Sequence, residues 1–453
     1  MTKPAIPKGT RDFLPAQMAG RKYIFSVLQQ TFEKYGFLPL ETPAMELQET
    51  LRGKYGEEGN QLIFNILNSG DFLKDADTNA PLQSSKLLRQ ISKKALRYDL
   101  TVPLARVISM YPNEIVLPFR RYQMQPVWRA DSPQKGRYQE FYQCDVDIAG
   151  TNSLTCEAEL LCMIQDVFDT LKLPDITIKI NHRQLLSGIA EQLGLQDKET
   201  DVLVAIDKWD KIGTEGVLKE LIQREINPEQ AEQLLAMLSL KGNSEEILQE
   251  LAQKLNTSHK AKQSIQDLQK VLSFVNAMQY STQRIQTDIT LARGLSYYTG
   301  IIIEVKANNV QMGSILGGGR YDKLVGMFSG KDITAVGISF GVDRIYDVLK
   351  EKNLLPVHTA TAQVLVTQFN EVLLSNSLNI LSALRKAGIS AELYPEPKKI
   401  AKQFEYADKR GIPYVVIVGE SEIQSGIYGL KELVTGTQKS LPLEEMITLL
   451  KNL

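Results

Sequence analysis

The chain has 453 residues, of which 43% are hydrophobic and 23% are charged, and its formal net charge is −1. This composition is ordinary for a globular protein with a sizeable core, and roughly 100–200 residues per domain predicts two to four domains. No run of about 18 apolar residues occurs, which excludes a membrane-spanning helix. The small net charge neither supports nor excludes nucleic-acid binding, because such binding depends on a local basic face.

The amino terminus and the cysteines indicate the compartment. The first residues contain neither an apolar signal region nor an arginine- and serine-rich transit pattern, which predicts a cytoplasmic protein. Cys144, Cys156 and Cys162 form no CxxC motif and no Cys/His cluster. We therefore expect buried, reduced thiols rather than a zinc site or a disulfide framework.

A short polar segment, Leu96 to Thr101, precedes an apolar helix that begins near Val102. Asp99 and Thr101 are placed to cap this helix, since such side chains accept hydrogen bonds from the first amides of a helix. Taken alone, capping is the favoured interpretation, and ligand binding is the alternative.

A hairpin is predicted next. One strand ends at Val127–Arg129, residues 138–149 form the second, and Pro133 and Gly136 mark a turn in the long, basic loop between them. Arg129 and Arg137 flank this loop, and Phe141 follows. Arginines suit phosphate and an aromatic ring suits a base, so the grouping fits a nucleotide.

The second hairpin strand has two unlike faces, because side chains alternate along a strand. One face carries Tyr142, Cys144, Val146 and Ile148 and is predicted to be core; the other carries Phe141, Gln143, Asp145 and Asp147. This other face is either solvated, as is usual for an antiparallel strand, or part of a polar pocket. An aromatic ring beside two carboxylates favours the pocket.

Residues 185–275 are predicted to be almost wholly helical, as at Asn227 and Pro228, an N-cap followed by proline at the first helical position. Strands and glycines then return. Residues 317–322 lack the spacing of a dinucleotide fingerprint or a P-loop, and their three glycines predict close backbone approach to a ligand. Residues 335–344 predict a strand running into a helix. Arg344 lies in its first turn, where the dipole disfavours a cation unless an anionic ligand is near.

The carboxyl-terminal zone alternates strands and helices. The predicted strands are 364–366, 391–394 and 414–418, and the predicted helices are 372–387 and 398–410. This order predicts a small parallel α/β domain. Lys398, Lys399, Lys402, Lys409 and Arg410 on its second helix form either a solvated face or a nucleic-acid contact.

Taken together, these segments resemble the class II aminoacyl-tRNA synthetases. Residues 22–46, 129–141 and 335–344 resemble their motifs 1, 2 and 3. Three further segments resemble the histidyl-tRNA synthetases in particular. These are Lys8–Asp12, Gln143–Asp147 and residues 291–300, which include Arg-Gly-Leu-Ser-Tyr-Tyr-Thr-Gly. The resemblance covers the whole chain.

The resemblance implies an α+β fold, in which an antiparallel sheet flanked by helices carries a helical insertion and a C-terminal α/β anticodon-binding domain. The expected domains are a catalytic core at 1–184 and 276–355, the insertion at 185–275 and the anticodon-binding domain at 356–453. Motif 1 implies a homodimer.

The implied activity is that of a histidine–tRNA ligase. Such an enzyme converts L-histidine and ATP to histidyl-adenylate and pyrophosphate, and then transfers histidine to the 3′ end of tRNA(His). Mg²⁺ is expected with ATP, and no metal site built by the protein is expected. A non-catalytic regulatory subunit of ATP phosphoribosyltransferase and a class II synthetase of other specificity are the alternatives. The regulatory proteins usually lack the C-terminal domain, which is present here.

The resemblance also implies residue roles. Arg129 and Arg293 are the expected catalytic residues, both on the α-phosphate. The expected ATP-binding residues are Arg129, Asp131, Arg137, Phe141 and Arg344. The expected histidine-binding residues are Asp99, Leu100, Thr101, Arg129, Gln143, Asp147, Arg293, Tyr297 and Tyr298.

Within the histidine-binding set, Asp99, Thr101 and Gln143 are expected to hold the α-amino group, while Asp147 and Tyr298 reach the imidazole. Ser296 and Gln139 depart from residues common in the family. His182, His259 and His358 belong to no motif and are expected to be structural or solvated.

Overall fold

The computed structural model describes residues 3–53, 59, 61–74, 76, 83–292, 298–330, 332–356 and 360–452. The chain divides into two compact units. The first comprises Met1–Asp12 and Tyr23–Leu355, and the second comprises Phe13–Lys22 and Pro356–Leu453.

The first unit is built around an eight-stranded sheet with the order β1-β5-β6-β11-β10-β9-β7-β8. Its strands are β1 Leu38–Pro39, β5 Phe119–Trp128, β6 Glu140–Ala149, β7 Ile176–His182, β8 Ile285–Thr287, β9 Ile301–Ala307, β10 Leu316–Tyr321 and β11 Ala335–Gly341. A small sheet contains β2 Met45–Leu47, β3 Asn65–Ile66 and β4 Lys94–Leu96. The central pairs are antiparallel, whereas the edge pairs β1–β5 and β7–β8 are parallel. The expected α+β class is confirmed, with a mixed rather than a purely antiparallel sheet.

Helices flank this sheet. Before the helical zone they are α1 Pro15–Lys34, α2 Gln48–Leu51, α3 Ser84–Ile91, α4 Thr101–Met110 and α5 Thr155–Thr170. Within it they are α6 Arg183–Gln192, α7 Glu199–Asp207, α8 Trp209–Gln223, α9 Pro228–Leu238, α10 Ser244–Lys254 and α11 His259–Ala277. After it come α12 Gly326–Ser329 and α13 Val342–Glu351.

The apolar face of β6 lies in the main core, as its alternation predicts. Cys144, Val146 and Ile148 are buried there with residues of α1 and α5. Phe340 on β11 packs against Phe32 of α1 and Phe168 of α5, with ring centroids 5.6 and 6.2 Å apart. Burial of this face leaves the opposite face of the sheet for polar groups.

Within the helical zone, α9 begins as its sequence predicts. The Asn227 side chain accepts a hydrogen bond from the Glu229 amide at 2.9 Å, and Pro228 occupies the first turn of α9. Apolar side chains of these helices belong to the same buried cluster as those of the sheet. The boundaries 185–275 of an insertion domain remain a prediction.

His182 is buried and caps the amino terminus of α6, which is a structural role. Its Nδ1 accepts a hydrogen bond from the Gln184 amide at 3.2 Å, so the proton of the neutral ring must lie on Nε2, 3.7 Å from the Asp267 carboxylate. Burial lowers the His182 pKa to about 4, and Asp267 only partly opposes that effect. The native state therefore holds this side chain neutral.

Acid is expected to destabilise the protein through His182. Because the native pKa lies below the ordinary value, the native state binds fewer protons, so the free energy of unfolding falls as pH drops from about 6.5 to about 4. Asn at this position keeps a cap acceptor but cannot titrate. His182→Asn should therefore remove up to about 3 kcal/mol of the acid-dependent loss. Urea unfolding at several pH values between 7.5 and 4 measures the free energy of unfolding of both proteins. If it fell by the same amount with pH in the wild type and in His182→Asn, the prediction would be contradicted.

The second unit has a five-stranded sheet with the order β13-β12-β14-β15-β16. Its strands are β12 Val364–Val366, β13 Ala391–Leu393, β14 Tyr414–Ile417, β15 Ile427–Glu432 and β16 Gln438–Pro442, and its helices are α14 Leu374–Lys386, α15 Ile400–Arg410, α16 Glu420–Ser425 and α17 Leu443–Lys451. The first three strands are parallel, as predicted. The antiparallel hairpin of β15 and β16, which the sequence analysis did not predict, extends one edge of this sheet.

Cys144, Cys156 and Cys162 are buried and form no disulfide, as predicted. Within the described ranges, none of the helices combines the length and apolar character needed to cross a membrane.

Candidate active site

The predicted hairpin forms, and its loop is ordered by its own backbone. β5 and β6 pair antiparallel from Phe119 opposite Ala149 to Trp128 opposite Glu140. Gln134 and Arg137 exchange backbone hydrogen bonds of 3.2 and 2.9 Å across the turn at Gly136. The loop is therefore a small secondary hairpin whose basic side chains project from a fixed turn.

A cavity of about 410 Å³ opens beside this hairpin. Its walls come from the start of α4, the hairpin, the start of β10 and the β11–α13 junction. The lining residues are Tyr98, Asp99, Thr101, Arg129, Asp131, Gly136, Arg137, Tyr138, Phe141, Gln143, Tyr298, Ser314, Ile315, Leu316, Gly317, Ser339, Gly341, Asp343 and Arg344. Predicted site residues from segments far apart in sequence thus meet, and the polar face of β6 forms part of a pocket rather than a solvated surface.

Arg129 is held rigidly at the pocket wall. Its Nε donates to the Tyr98 carbonyl at 3.1 Å and an Nη donates to Gln143 Oε1 at 3.4 Å. Its guanidinium carbon lies 4.3 Å from the ring centroid of Tyr98 and 5.2 Å from that of Phe141. A planar cation stacked between two rings keeps its orientation when a ligand enters.

Arg344 is fixed by carbonyl groups. Its Nε donates to the Gly136 carbonyl and Nη1 to the Ser314 carbonyl, both at 2.7 Å. Two backbone oxygens therefore already offset its unfavourable place in the first turn of α13, so a bound anion is not required there. Arg137, whose side chain is 46% exposed, lies 3.7 Å from Asp131.

Asp99 caps a helix and also faces the cavity, so the two interpretations that the sequence left open do not exclude each other. Its carboxylate accepts a hydrogen bond from the Val102 amide at 3.1 Å, so it caps α4, and it also lines the cavity. Thr101 is the first residue of α4 and lines the cavity as well.

Two predicted binding residues lie behind the cavity wall. Leu100 is fully buried, and its carbonyl accepts a hydrogen bond from Arg121 at 3.2 Å. Asp147 is 3% exposed, lies 2.8 Å from Arg121 Nη2, and accepts a hydrogen bond from the Tyr321 hydroxyl. The structure therefore does not place the Asp147 carboxylate in direct reach of the cavity.

The carboxylates of β6 form a buried charge cluster with Arg121. Burial raises the pKa of Asp145 to about 7, and the positive charge of Arg121 opposes that rise. Burial also raises the pKa of Asp147, while Arg121 and the Tyr321 hydroxyl lower it. Gly337 makes room for this cluster, because a Cβ there would lie 1.9 Å from Asp147 Oδ1.

Sequence reasoning missed Arg121 and Ser339. A usable signal existed for Arg121, because Arg121, Gln123 and Gln125 alternate with Tyr122 and Met124 along β5. In the observed register these polar residues face Asp147, Asp145 and Gln143. Aligning the polar faces of the two predicted hairpin strands would have placed Arg121 beside the carboxylates of β6.

Two of the three glycines of β10 have a different purpose from the predicted approach to a ligand. A Cβ on Gly318 would lie 2.2 Å from the Gly337 carbonyl, and one on Gly319 would lie 2.5 Å from the Ile301 carbonyl. These two glycines therefore allow close approach of neighbouring strands. Gly317, in contrast, lines the cavity.

The amino-terminal segment braces the cavity. Arg11 pairs with Asp343 at 2.6 Å and donates to the Tyr138 hydroxyl at 2.8 Å. Asp343 in turn accepts from the Tyr142 amide at 3.0 Å. Arg11 thus ties the hairpin to the first turn of α13. Gln139 belongs to the same brace, since its amide donates to the Gly9 carbonyl at 2.8 Å.

Some predicted residues cannot be placed. Arg293 and Tyr297, with Gly294, Leu295 and Ser296 between them, lie outside the described residues, as does His358. Tyr298, which follows them, lines the cavity. His259 lies on the surface at the start of α11.

Comparison with known proteins identifies the family. The family model described as histidyl-tRNA synthetase matches residues 9–345. The chain belongs to the histidyl-tRNA synthetase family. The model described as anticodon binding domain matches residues 363–453 of this synthetase.

Curated relatives and a solved structure agree with this assignment. A protein named histidine–tRNA ligase from Cytophaga hutchinsonii is 51% identical over 449 residues, covering 99% of each chain. Another of that name, from Christiangramia forsetii, is 50% identical and covers 97% of each. The crystal structure of histidyl-tRNA synthetase from Nostoc sp. PCC 7120 matches with a TM-score of 0.85 and 31% identity over 100% of both chains. The expectation of a histidine–tRNA ligase, rather than a regulatory subunit, is confirmed.

Proposed function

We propose that the cavity beside the hairpin binds L-histidine and ATP and forms histidyl-adenylate. A carboxylate oxygen of histidine attacks the α-phosphorus of ATP, and the bond from that phosphorus to the pyrophosphate oxygen breaks. The ribose hydroxyl at the 3′ end of tRNA(His) then attacks the carbonyl carbon of the adenylate, and AMP leaves. The supporting observation is that one cavity combines Arg129, Arg137 and Arg344 with Phe141 and with polar groups suited to an amino acid.

The arginines supply fixed positive charge to the phosphates. Phosphoryl-type transfer depends on in-line positioning and charge stabilisation more than on covalent help. Arg129 contacts the α-phosphate, because it is the arginine held nearest to Gln143 and the amino acid side of the cavity. Arg137 contacts the outer phosphates, and Arg344 packs over the nucleotide while Asp131 and Phe141 contact its adenine. Arg293 is proposed as a second α-phosphate ligand from the resemblance alone.

The amino acid is held at the α4 side of the cavity. Asp99, Thr101 and Gln143 supply oxygen atoms for the α-ammonium group, and Tyr298 reaches the imidazole with Tyr297, which the resemblance adds. Asp147 is not proposed to touch the ligand, because Arg121 and Tyr321 hold its carboxylate behind the wall. An apolar ligand side chain would forgo hydrogen bonds to the polar groups that line the cavity, which disfavours its binding.

Other properties follow from membership in the family and remain proposals. They are a homodimer, tRNA(His) as partner, a cytoplasmic location, the bounds of the four domain segments and the use of Mg²⁺. No cluster of three or more metal-binding side chains occurs in the described part of the chain. We therefore propose that Mg²⁺ enters with the ATP phosphates as part of the substrate.

Histidine-dependent exchange of labelled pyrophosphate into ATP tests the proposal. We expect exchange with histidine and much less with proline, threonine or glycine at the same concentration. Transfer of labelled histidine to tRNA(His) tests the second step. Folded protein that supports no exchange, or that prefers one of the other amino acids, would refute the proposed reaction.

A further inference from the structure

A chain of hydrogen bonds runs from the cavity into the buried charge cluster. Arg129 donates to Gln143 Oε1 at 3.4 Å, and Gln143 Nε2 donates to Ser339 Oγ at 2.7 Å. Ser339 faces Asp145 across the β6–β11 pair, close enough for its hydroxyl to favour the ionised carboxylate and so to lower the pKa of Asp145. Gln143 is 9% exposed and Asp145 is 2% exposed, so water offers little alternative to these partners.

The direction of every bond in this chain is determined by its two ends. A guanidinium has only donors, so the Gln143 oxygen must face Arg129. The Gln143 amino group must then donate to Ser339. Ser339 has a single hydroxyl hydrogen, which is therefore directed to the Asp145 carboxylate, an acceptor when ionised. Without these two partners, a glutamine would have no preference between its two amide orientations.

We propose that Ser339 and Asp145 are positioning residues that hold the Gln143 amide with its oxygen toward the cavity, where it accepts a hydrogen bond from the α-ammonium group of histidine. This inference rests on the proposed function of the cavity. Neither residue needs to touch the reacting atoms. With the opposite orientation, the amide would present its own donors to a cationic group.

The surroundings make Asp145 sensitive to pH. Arg121 on β5 favours its ionised form, whereas burial, Asp147 on β6 and Asp99 before α4 disfavour it. Arg97 is a further cation whose charge interacts with Asp145. Burial is the largest of these effects, and the pKa of Asp145 is raised. A protonated Asp145 becomes a donor that competes for the Ser339 oxygen, which weakens the preference for one amide orientation and leaves Arg129 alone to maintain it.

Ser339→Ala and its matched control Ser339→Thr test the positioning role. We expect Ser339→Ala to raise the histidine KM in pyrophosphate exchange about tenfold, the effect of one lost hydrogen bond to a charged group. The ATP KM should change less than about twofold. Ser339→Thr keeps the hydroxyl and should stay within about twofold for both substrates. An unchanged histidine KM in Ser339→Ala, or an equal rise in both KM values, overturns the inference.

Asp145→Asn keeps a hydrogen-bond acceptor at position 145 but removes the group that becomes protonated. Asparagine can still accept from Ser339, so the histidine KM at pH 8 should stay within about threefold of the wild type. Below pH 7 the wild-type histidine KM should rise more steeply than that of Asp145→Asn, because the imidazole of the substrate titrates equally with both proteins. Parallel profiles overturn the inference. Wild-type protein without histidine-dependent exchange would instead refute the proposed function itself.

Discussion

Arg129→Ala is expected to lower the rate of histidine-dependent pyrophosphate exchange by about 10²–10³-fold, as is common when one preorganised charge is removed. The reason lies in how Arg129 is held. The Tyr98 carbonyl, the Gln143 oxygen and two aromatic rings fix its plane before any ligand binds. In the proposed reaction, the charge would therefore act on the α-phosphate without reorganisation. Steady-state exchange with saturating histidine and ATP measures the effect.

Lys135→Ala is the matched control for Arg129→Ala. Lys135 belongs to the same loop and carries the same charge, but its side chain is 69% exposed and it meets Glu351 only at 3.5 Å. We expect its loss to change exchange less than about threefold, because exposed charges are well screened. If folded Arg129→Ala retained more than a tenth of the wild-type rate, the proposed role of Arg129 would be wrong.

Arg121→Met is expected to lower the free energy of unfolding by about 3–5 kcal/mol, the usual cost when one partner of a buried ion pair is removed. Arg121 is completely buried, and it lies among Asp145, Asp147 and the Leu100 carbonyl. Its loss leaves two buried carboxylates without their cation and a carbonyl without its donor. Denaturant unfolding at pH 8, where both carboxylates are most costly to bury, measures the change.

Arg120→Met provides the control, since Arg120 is the neighbouring residue on the opposite face of β5. Its side chain is 32% exposed and pairs with Glu159, so we expect a loss of at most about 1 kcal/mol. Adding Asp145→Asn to Arg121→Met should recover part of the lost stability, because it removes one unpaired charge. If Arg120→Met and Arg121→Met lowered the free energy of unfolding equally, the buried charge cluster would not be a main contributor to stability.

Local features of the fold could be predicted because their causes are local. The apolar face of β6 follows from alternation, and the Asn227 cap of α9 follows from the geometry of four successive residues. The hairpin follows from turn residues between two strand-like runs. The missed hairpin of β15 and β16 lay in a segment where the sequence analysis proposed no strands.

The cavity was predicted in part. Motif resemblance named nine of the nineteen residues that line it, including Arg129, Phe141 and Gln143. It did not show that Asp147 lies behind that wall, because this depends on Arg121 across the strand pair and on Tyr321, 174 residues away. It also missed Ser339, whose importance appears only when β11 lies beside β6.

By itself, then, the sequence determined the family, the core-facing positions and the residues available for chemistry, since each depends on motifs or on short-range periodicity. Tertiary structure alone decided which buried charges pair and which polar atoms face the cavity. The physical reason is that a carboxylate removed from water must find its cation and its donors nearby, and strand register determines those neighbours. Asp99, Asp145 and Asp147 all carry carboxylates and Gln143 carries an amide, but their hydrogen-bond and charge partners place each of them in a different environment.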